Sequence, residues 1–183
     1  QADEQTVLQL FNRLQAVKRY LDEHVEVRGN SVYFQDQEIH NTVADRILAF
    51  MSDDLPYTPL VEFLKRLMNN PSHRAVNELY EFLEHEGLPI TTDGTFLAYK
   101  GVRDDYYSST GNKSTHVLKG TVDEGGHIYN GIGEEIIVAR KDVDDNRDCT
   151  CSQGLHAGAY SYASTWSRRT ILVEIDPADV VSV

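Results

Sequence analysis

The sequence predicts an α+β fold, helical first and strand-rich afterwards, and three observations carry that expectation. Apolar residues recur every three or four positions up to about residue 88. Beyond it, runs of alternating or continuous β-branched and aromatic residues stand between Gly, Asn and Asp clusters. A single hairpin signal, VEVRGNSVYF, interrupts the helical half. The chain therefore divides into residues 1–88, mainly helical with a β-hairpin near 25–35, and residues 89–183, β-rich with one helix near 157–166.

The first predicted element is a helix over 5–21. Val7, Leu10, Phe11, Leu14, Val17 and Leu21 form its apolar stripe. In the hairpin, Val25 and Val27 alternate with charge, Gly29-Asn30 makes a two-residue turn, and Val32 and Phe34 alternate again. Thr42 with Asp45 reads as a capping box ahead of Ile47, Leu48 and Met51. Thr58-Pro59 reads as an N-cap with Pro at the first helical position, and Leu60, Val61, Leu64, Leu67 and Met68 make the face that follows. Asn70-Pro71 repeats the device before Val76, Leu79, Tyr80 and Leu83, and Gly87 suits the left-handed residue that ends a helix.

The pattern changes at about residue 88. PITTDGTFLAYKGV predicts two strands around an Asp93-Gly94 turn. Residues 103–135 are rich in small polar residues and predict a long loop or a loose hairpin, with strand candidates at His116–Leu118 and His127–Tyr129. EEIIVAR, at 134–140, is a short strand candidate. In the closing run, Ile171, Val173 and Ile175 share one strand face before Asp176-Pro177 turns the chain.

Composition removes several function classes. Seventeen Lys+Arg against 29 Asp+Glu give a net charge of −12, which repels phosphate backbones. The basic clusters Lys18–Arg19 and Arg168–Arg169 read as solvated surface. No apolar stretch approaches the length of a membrane span. Cys149 and Cys151 would face the same side of a strand about 7 Å apart, too far for a disulfide, and a reducing compartment suits such a chain. The first residues lack a signal-peptide pattern and an initiator Met, which suits a trimmed chain or a piece of a longer one.

The stretch CSQGLHAGAYSYASTW, at 151–166, holds the densest chemistry. Cys149, Cys151 and His156 supply three zinc-type ligands, with His116 or His127 as a fourth. A structural zinc site wants paired knuckles with two to four intervening residues, and neither condition is met, so no metal is expected. Cys151 and His156 also make a nucleophile and base pair, but nothing marks an oxyanion hole. The glycines at 101–103 and 125–133 match neither a P-loop nor a dinucleotide fingerprint. A purely structural role is concrete. Gly154 would supply positive φ and Leu155 would enter the core. Ala157, Ala159 and Ala163 would let a helix lie close to a sheet, and Tyr162 and Trp166 would cover one face. Cys151 would then be a small buried hydrophobe, and His156 would bond a backbone carbonyl.

Three segments, NNPSHRAVNELYEFLEHEGLPITTDGTFLAYKGVR, VDDNRDCTCSQGLHAGAYSYAS and ILVEIDPADVVSV, together resemble the C-terminal portion of the rIIB family of tailed bacteriophages. VEVRGNSVYFQDQEI followed by VADRIL resembles the segment just upstream. The resemblance covers nearly the whole chain after the first helix. Residues 106–140 are longer and differently composed than it implies. It implies an early phage protein that works beside an rIIA-like protein, or against a host or prophage exclusion component. Its role would be to protect infection from early lysis. The implied location is the host cytoplasm, peripherally at the inner face of the membrane. Longer family members carry an N-terminal helix-turn-helix-like segment that this chain lacks, so no nucleic-acid partner is expected. The resemblance brings no assigned catalytic mechanism and no cofactor.

The matching positions that are candidate functional or ligand-contacting residues are Tyr99, Lys100, Cys151, Ser152 and His156, with Gly154 and Leu155 beside them. The expectation is a non-enzymatic protein acting by protein contacts. The alternative is a nucleotide or small-signal binder, or a transferase, using a pocket between the Tyr99–Lys100 strand and the Cys151–His156 turn. The layout is similar to ADP-ribosyltransferase-like folds, which have Arg where Lys100 stands, a Ser-Thr-Ser motif where Cys151-Ser152 stands, and a catalytic Glu, for which Glu174 is the candidate.

Overall fold

The structure is a computed structural model, described over residues 25–28, 31–39, 41–146 and 153–183. The helix expected over 5–21 and the Gly29-Asn30 turn lie outside the described residues. Those residues form a mixed α+β architecture, helices preceding most of the strands. In order they are β1 (Val25–Arg28), β2 (Ser31–Phe34), β3 (Gln37–Ile39), α1 (Thr42–Ser52), α2 (Thr58–Met68), α3 (His73–Glu86), β4 (Phe96–Val102), β5 (Val117–Lys119), β6 (Ile137–Val138), α4 (Tyr160–Trp166) and β7 (Arg169–Ile175). Short 3₁₀ turns cover Arg140–Asp142 and Pro177–Asp179.

β1 and β2 pair antiparallel, with Val25 opposite Phe34 and Val27 opposite Val32. This places Val25, Val27 and Val32 in the core. A third strand was not legible: β3 joins β2 through Gln35 and Asp36, both at positive φ (49° and 65°). Sequence-based reading expects Gly or Asn in such a turn. Here Asp36 is held by an ion pair with Arg28.

The three helices form as predicted, but their starts differ. Asn41, not Thr42, caps α1, its Oδ1 accepting from the Ala44 N–H at 3.0 Å. Thr42 is already helical and its hydroxyl donates to Glu81 on α3 at 2.7 Å. Thr58 is also helical, and Tyr57 before it makes no side-chain cap. Ser72 caps α3, because the side chain of Asn70 is used elsewhere. Gly87 ends α3 at φ +65°, as predicted. The apolar face of α2 buries Leu60, Val61, Leu64 and Leu67. It is wider than the predicted stripe, since Phe63 is fully buried as well and meets Tyr80 edge-on at 6.1 Å.

Phe96 and Ala98 of β4 join that same core. β4 pairs antiparallel with β7, Phe96 opposite Ile175 through Val102 opposite Arg169. The strand expected before the Asp93-Gly94 turn is reduced to one bridge, Ile90 to Phe96. The turn itself lies against α2. A Cβ at Gly94 would overlap the backbone of Glu62 and Phe63, and the Arg66 Nε donates to the Asp93 carbonyl at 2.8 Å. β5 sits one residue later than predicted and pairs with β6. The segment expected as a strand at 127–129 makes only single bridges, to Val122 and Tyr107. Its order comes from Asn130, buried, whose amide donates to the Ile128 carbonyl at 2.6 Å, and from Asp123. The Asp123 carboxylate is held below its usual range, first by the backbone N–H of His127.

One polar cluster joins the helices to the end of the chain. Asn70 is 7% exposed. Its amide donates to the carbonyls of Pro177 and Val180 at 2.8 and 2.7 Å. Its Oδ1 accepts from the Ser72 N–H at 2.8 Å and from Arg140 at 3.0 Å. Arg140 also donates to the carbonyls of Ala178 and Val180. Replacing Asn70 by Ala strands buried carbonyls and part of a guanidinium. We expect Asn70→Ala to lower unfolding free energy by roughly 2–4 kcal/mol. Asn69→Ala, whose amide bonds only to Lys65 on its own helix, should change it by about 0.5 kcal/mol or less. Urea unfolding of the two variants side by side checks this.

Candidate functional site

The site is built on β4, whose sequence FLAYKGV sets Tyr99, Lys100 and Gly101 side by side. One edge of β4 pairs with β7. On the other edge, Tyr99 exchanges backbone hydrogen bonds with Gly158, at 2.8 and 2.9 Å. α4 begins two residues later and crosses the sheet at Gly101. A Cβ there would stand 2.6 Å from the Ala163 carbonyl oxygen and 3.2 Å from the Trp166 Cβ. Glycine at this position is what lets the helix approach. Ala159 and Ala163 are buried in the contact, as their size predicted.

A cavity of about 350 Å³ opens beside this crossing. Its walls are β4 at Tyr99–Gly101, the loop 108–115, the turn 153–156 and one side of α4. Lys100 reaches into it. The Nζ donates to the His156 carbonyl oxygen at 3.0 Å. No carboxylate pairs with it among the described residues. One carbonyl replaces little of an ammonium's water shell, so burial pulls Lys100 down from 10.5 to about 8. At neutral pH most of the cation persists, with a neutral amine fraction far above that of an ordinary lysine.

Of the residues singled out in the sequence, the structure brings Tyr99, Lys100 and His156 to one cavity. The Tyr99 ring also packs edge-on against Tyr160, at 5.4 Å and 83°. His156 is exposed and contributes its carbonyl oxygen. Gly154 adopts φ +139°, and a Cβ on it would press into Val143 at 2.9 Å. Leu155 does not enter the core. It is 39% exposed in the cavity wall, because the turn at Gly154 swings it outward. Cys149, Cys151 and Ser152 lie outside the described residues.

Three contributors were missed. Tyr162 and Trp166, read only as a packing face, flank the cavity with their rings 5.8 Å apart at 62°. Ser109 lies in the opposite wall, its hydroxyl buried and unpaired among the described residues. The small polar run SSTGN at 108–112 was a signal for this wall, but it reads equally well as any surface loop. Glu174 is elsewhere: it accepts from the Thr95 hydroxyl at 2.6 Å and does not line the cavity.

Residues 15–183 match the protein family described as Bacteriophage T4 protein rIIB. The chain is similar to Protein rIIB of Enterobacteria phage T4, with 33% identity over 178 residues. That alignment covers 96% of this chain and 53% of that protein, so the chain spans about half the length of the curated relative it matches. No solved structure matches.

The state of Lys100 is directly measurable. Its acylation by an amine reagent, followed by peptide mass spectrometry, should reach half its limiting rate near pH 8. Surface lysines should do so about two units higher. Folding stability should follow the same group. The native chain binds fewer protons than the unfolded chain between about 8 and 10.5, so this residue's contribution rises with pH across that window.

Proposed function

The chain belongs to the rIIB family of bacteriophages, and from that premise we propose that it is a phage accessory protein that protects infection from early lysis or exclusion triggered by the host or a resident prophage. It works without catalysis, by protein contact. Its partner is an rIIA-like phage protein or a component of the exclusion system. It acts in the host cytoplasm, peripherally at the inner face of the membrane. Among the described residues no helix is long and apolar enough to cross a membrane.

The supporting observation is an exposed apolar and aromatic patch. Tyr160 on α4 is 60% exposed and Leu172 on β7 is 53% exposed. Tyr99 lies between them, packed on Tyr160 and directly opposite Leu172 in the strand register. Aromatic residues dominate the energetic centres of protein interfaces, and nothing in the core requires these two side chains at the surface. Catalytic transfer draws no support from Glu174, which is committed to Thr95 away from the cavity.

The test is a phage carrying Tyr160→Ser and Leu172→Ser in its own gene. Loss of an interface centre costs about 2 kcal/mol or more of binding, roughly 30-fold in affinity. Plating on a restrictive lysogen should fall relative to a permissive host, with the variant chain's melting temperature within a few degrees of the parent. Undiminished plating with both residues replaced rejects this surface as the contact.

A further inference from the structure

The cavity beside β4 has a composition at odds with the rest of the chain. The protein carries 29 Asp and Glu, yet none lines the cavity among the described residues. Its one formal cation is Lys100, which has a backbone carbonyl as partner and no acid. On one side stand the Tyr162 and Trp166 rings, each 39% exposed. On the other, the Ser109 hydroxyl is buried without a partner among the described residues, an arrangement that protein structures rarely keep. The volume is at the small end of ligand sites.

We propose that this cavity binds a small molecule that joins one anionic group to a flat ring, of the nucleoside monophosphate class. The Lys100 ammonium pairs with the anion, a charge-assisted contact in a partly dry site. The ring lies against Trp166 and Tyr162, as bases do on aromatic side chains. The 108–112 wall supplies hydroxyl and amide groups for the sugar. An anion that brings its own charge completes what the fold leaves open. Long nucleic acids are disfavoured by the net charge of −12, whereas a molecule with one phosphate meets only the local field of the cavity. The cavity shares Tyr99 with the protein-contact surface, but this assignment does not rest on that surface and is tested apart from it.

The chain has a single Trp, Trp166, so its fluorescence reports occupancy directly. The whole chain is titrated at pH 7 with adenosine, guanosine, cytidine and uridine monophosphates, with inorganic phosphate and with the free nucleosides. Saturable quenching or enhancement by at least one monophosphate is expected, with inorganic phosphate and the nucleosides at least tenfold weaker. Lys100→Gln should weaken that binding tenfold or more, and Lys100→Arg should restore most of it. Equal melting temperatures of the Gln and Arg variants separate lost charge from lost fold.

Between pH 7 and 9 the affinity should fall about tenfold as Lys100 loses its proton. The other titratable groups lining the cavity are His156 on its turn, Tyr99 on β4 and Tyr162 on α4. His156→Gln should keep that pH profile. No saturable signal with any monophosphate overturns the proposal. So does binding that Lys100→Gln leaves unchanged. Inorganic phosphate binding as tightly as the nucleotides overturns the ring half of the assignment.

Discussion

The Asn70–Arg140 cluster is the contact on which the placement of the other elements depends. Asn70 sits at the joint between α2 and α3, Arg140 follows β6, and both meet the carbonyls of the last 3₁₀ turn. That turn follows β7 directly. Its carbonyls would otherwise be orphaned in a buried place, since a helical turn leaves its final acceptors unmet. A cation at that end also meets the negative pole of the aligned peptide groups. The cluster therefore satisfies the end of the chain and fixes β7 relative to the helices. β7 positions β4 through seven register pairs, and β4 carries Tyr99 and Lys100. Arg66 adds a second tie, pairing with Asp176 and bonding the Asp93 carbonyl.

Much of this fold was legible, and the errors have physical causes. The helix faces, the first hairpin, the Gly87 stop and the helix-to-strand change near residue 88 follow from periodicity and backbone freedom, which are local properties. The caps were misplaced where two competent residues adjoin. Asn41 and Thr42 can each cap a helix, as can Asn70 and Ser72, and local chemistry does not decide between them. Tertiary structure decided: Thr42 reaches Glu81, and Asn70 is drawn inward to the chain end, leaving Ser72 as the cap. β3 was missed because Gln35-Asp36 is a poor turn on propensity, compensated here by the Arg28 contact. In the 103–135 loop β5 forms one residue from its expected place, but the strand expected at 127–129 shrinks to single bridges, where side chains such as Asn130 supply hydrogen bonds a ladder would have made.

The candidate site was half legible. Tyr99, Lys100 and His156 stood out in the sequence, but the cavity joining them depends on glycines whose role is negative space. Gly101 admits α4, and Gly158 sits 3.2 Å from the Tyr162 ring at the position a Cβ would take. Only with α4 at that distance do Trp166 and Tyr162 become walls as well as packing. The opposite wall comes from a loop about 50 residues away, and no short-range pattern links Ser109 to Trp166. Leu155 shows the same limit, since its hydrophobicity predicts burial but the backbone at Gly154 sets its direction.

Lys100 is the residue that the stability of the chain explains least. A desolvated cation without an acid costs folding free energy, and this acidic chain had ample means to supply a carboxylate. A cation held without an acid, in a cavity whose wall also keeps the Ser109 hydroxyl unpaired among the described residues, is a mark of sites that act on something outside the fold. Successive residues of a strand point to opposite faces, so Lys100 and Tyr99 leave β4 in different directions. Tyr99 belongs to the exposed patch with Tyr160 and Leu172, and Tyr160 and Trp166 share α4. The cavity and the patch thus share β4 and α4. A ligand that moved α4 against Gly101 would move both, and by linkage it and a partner held on the patch would then act on each other with one coupling free energy.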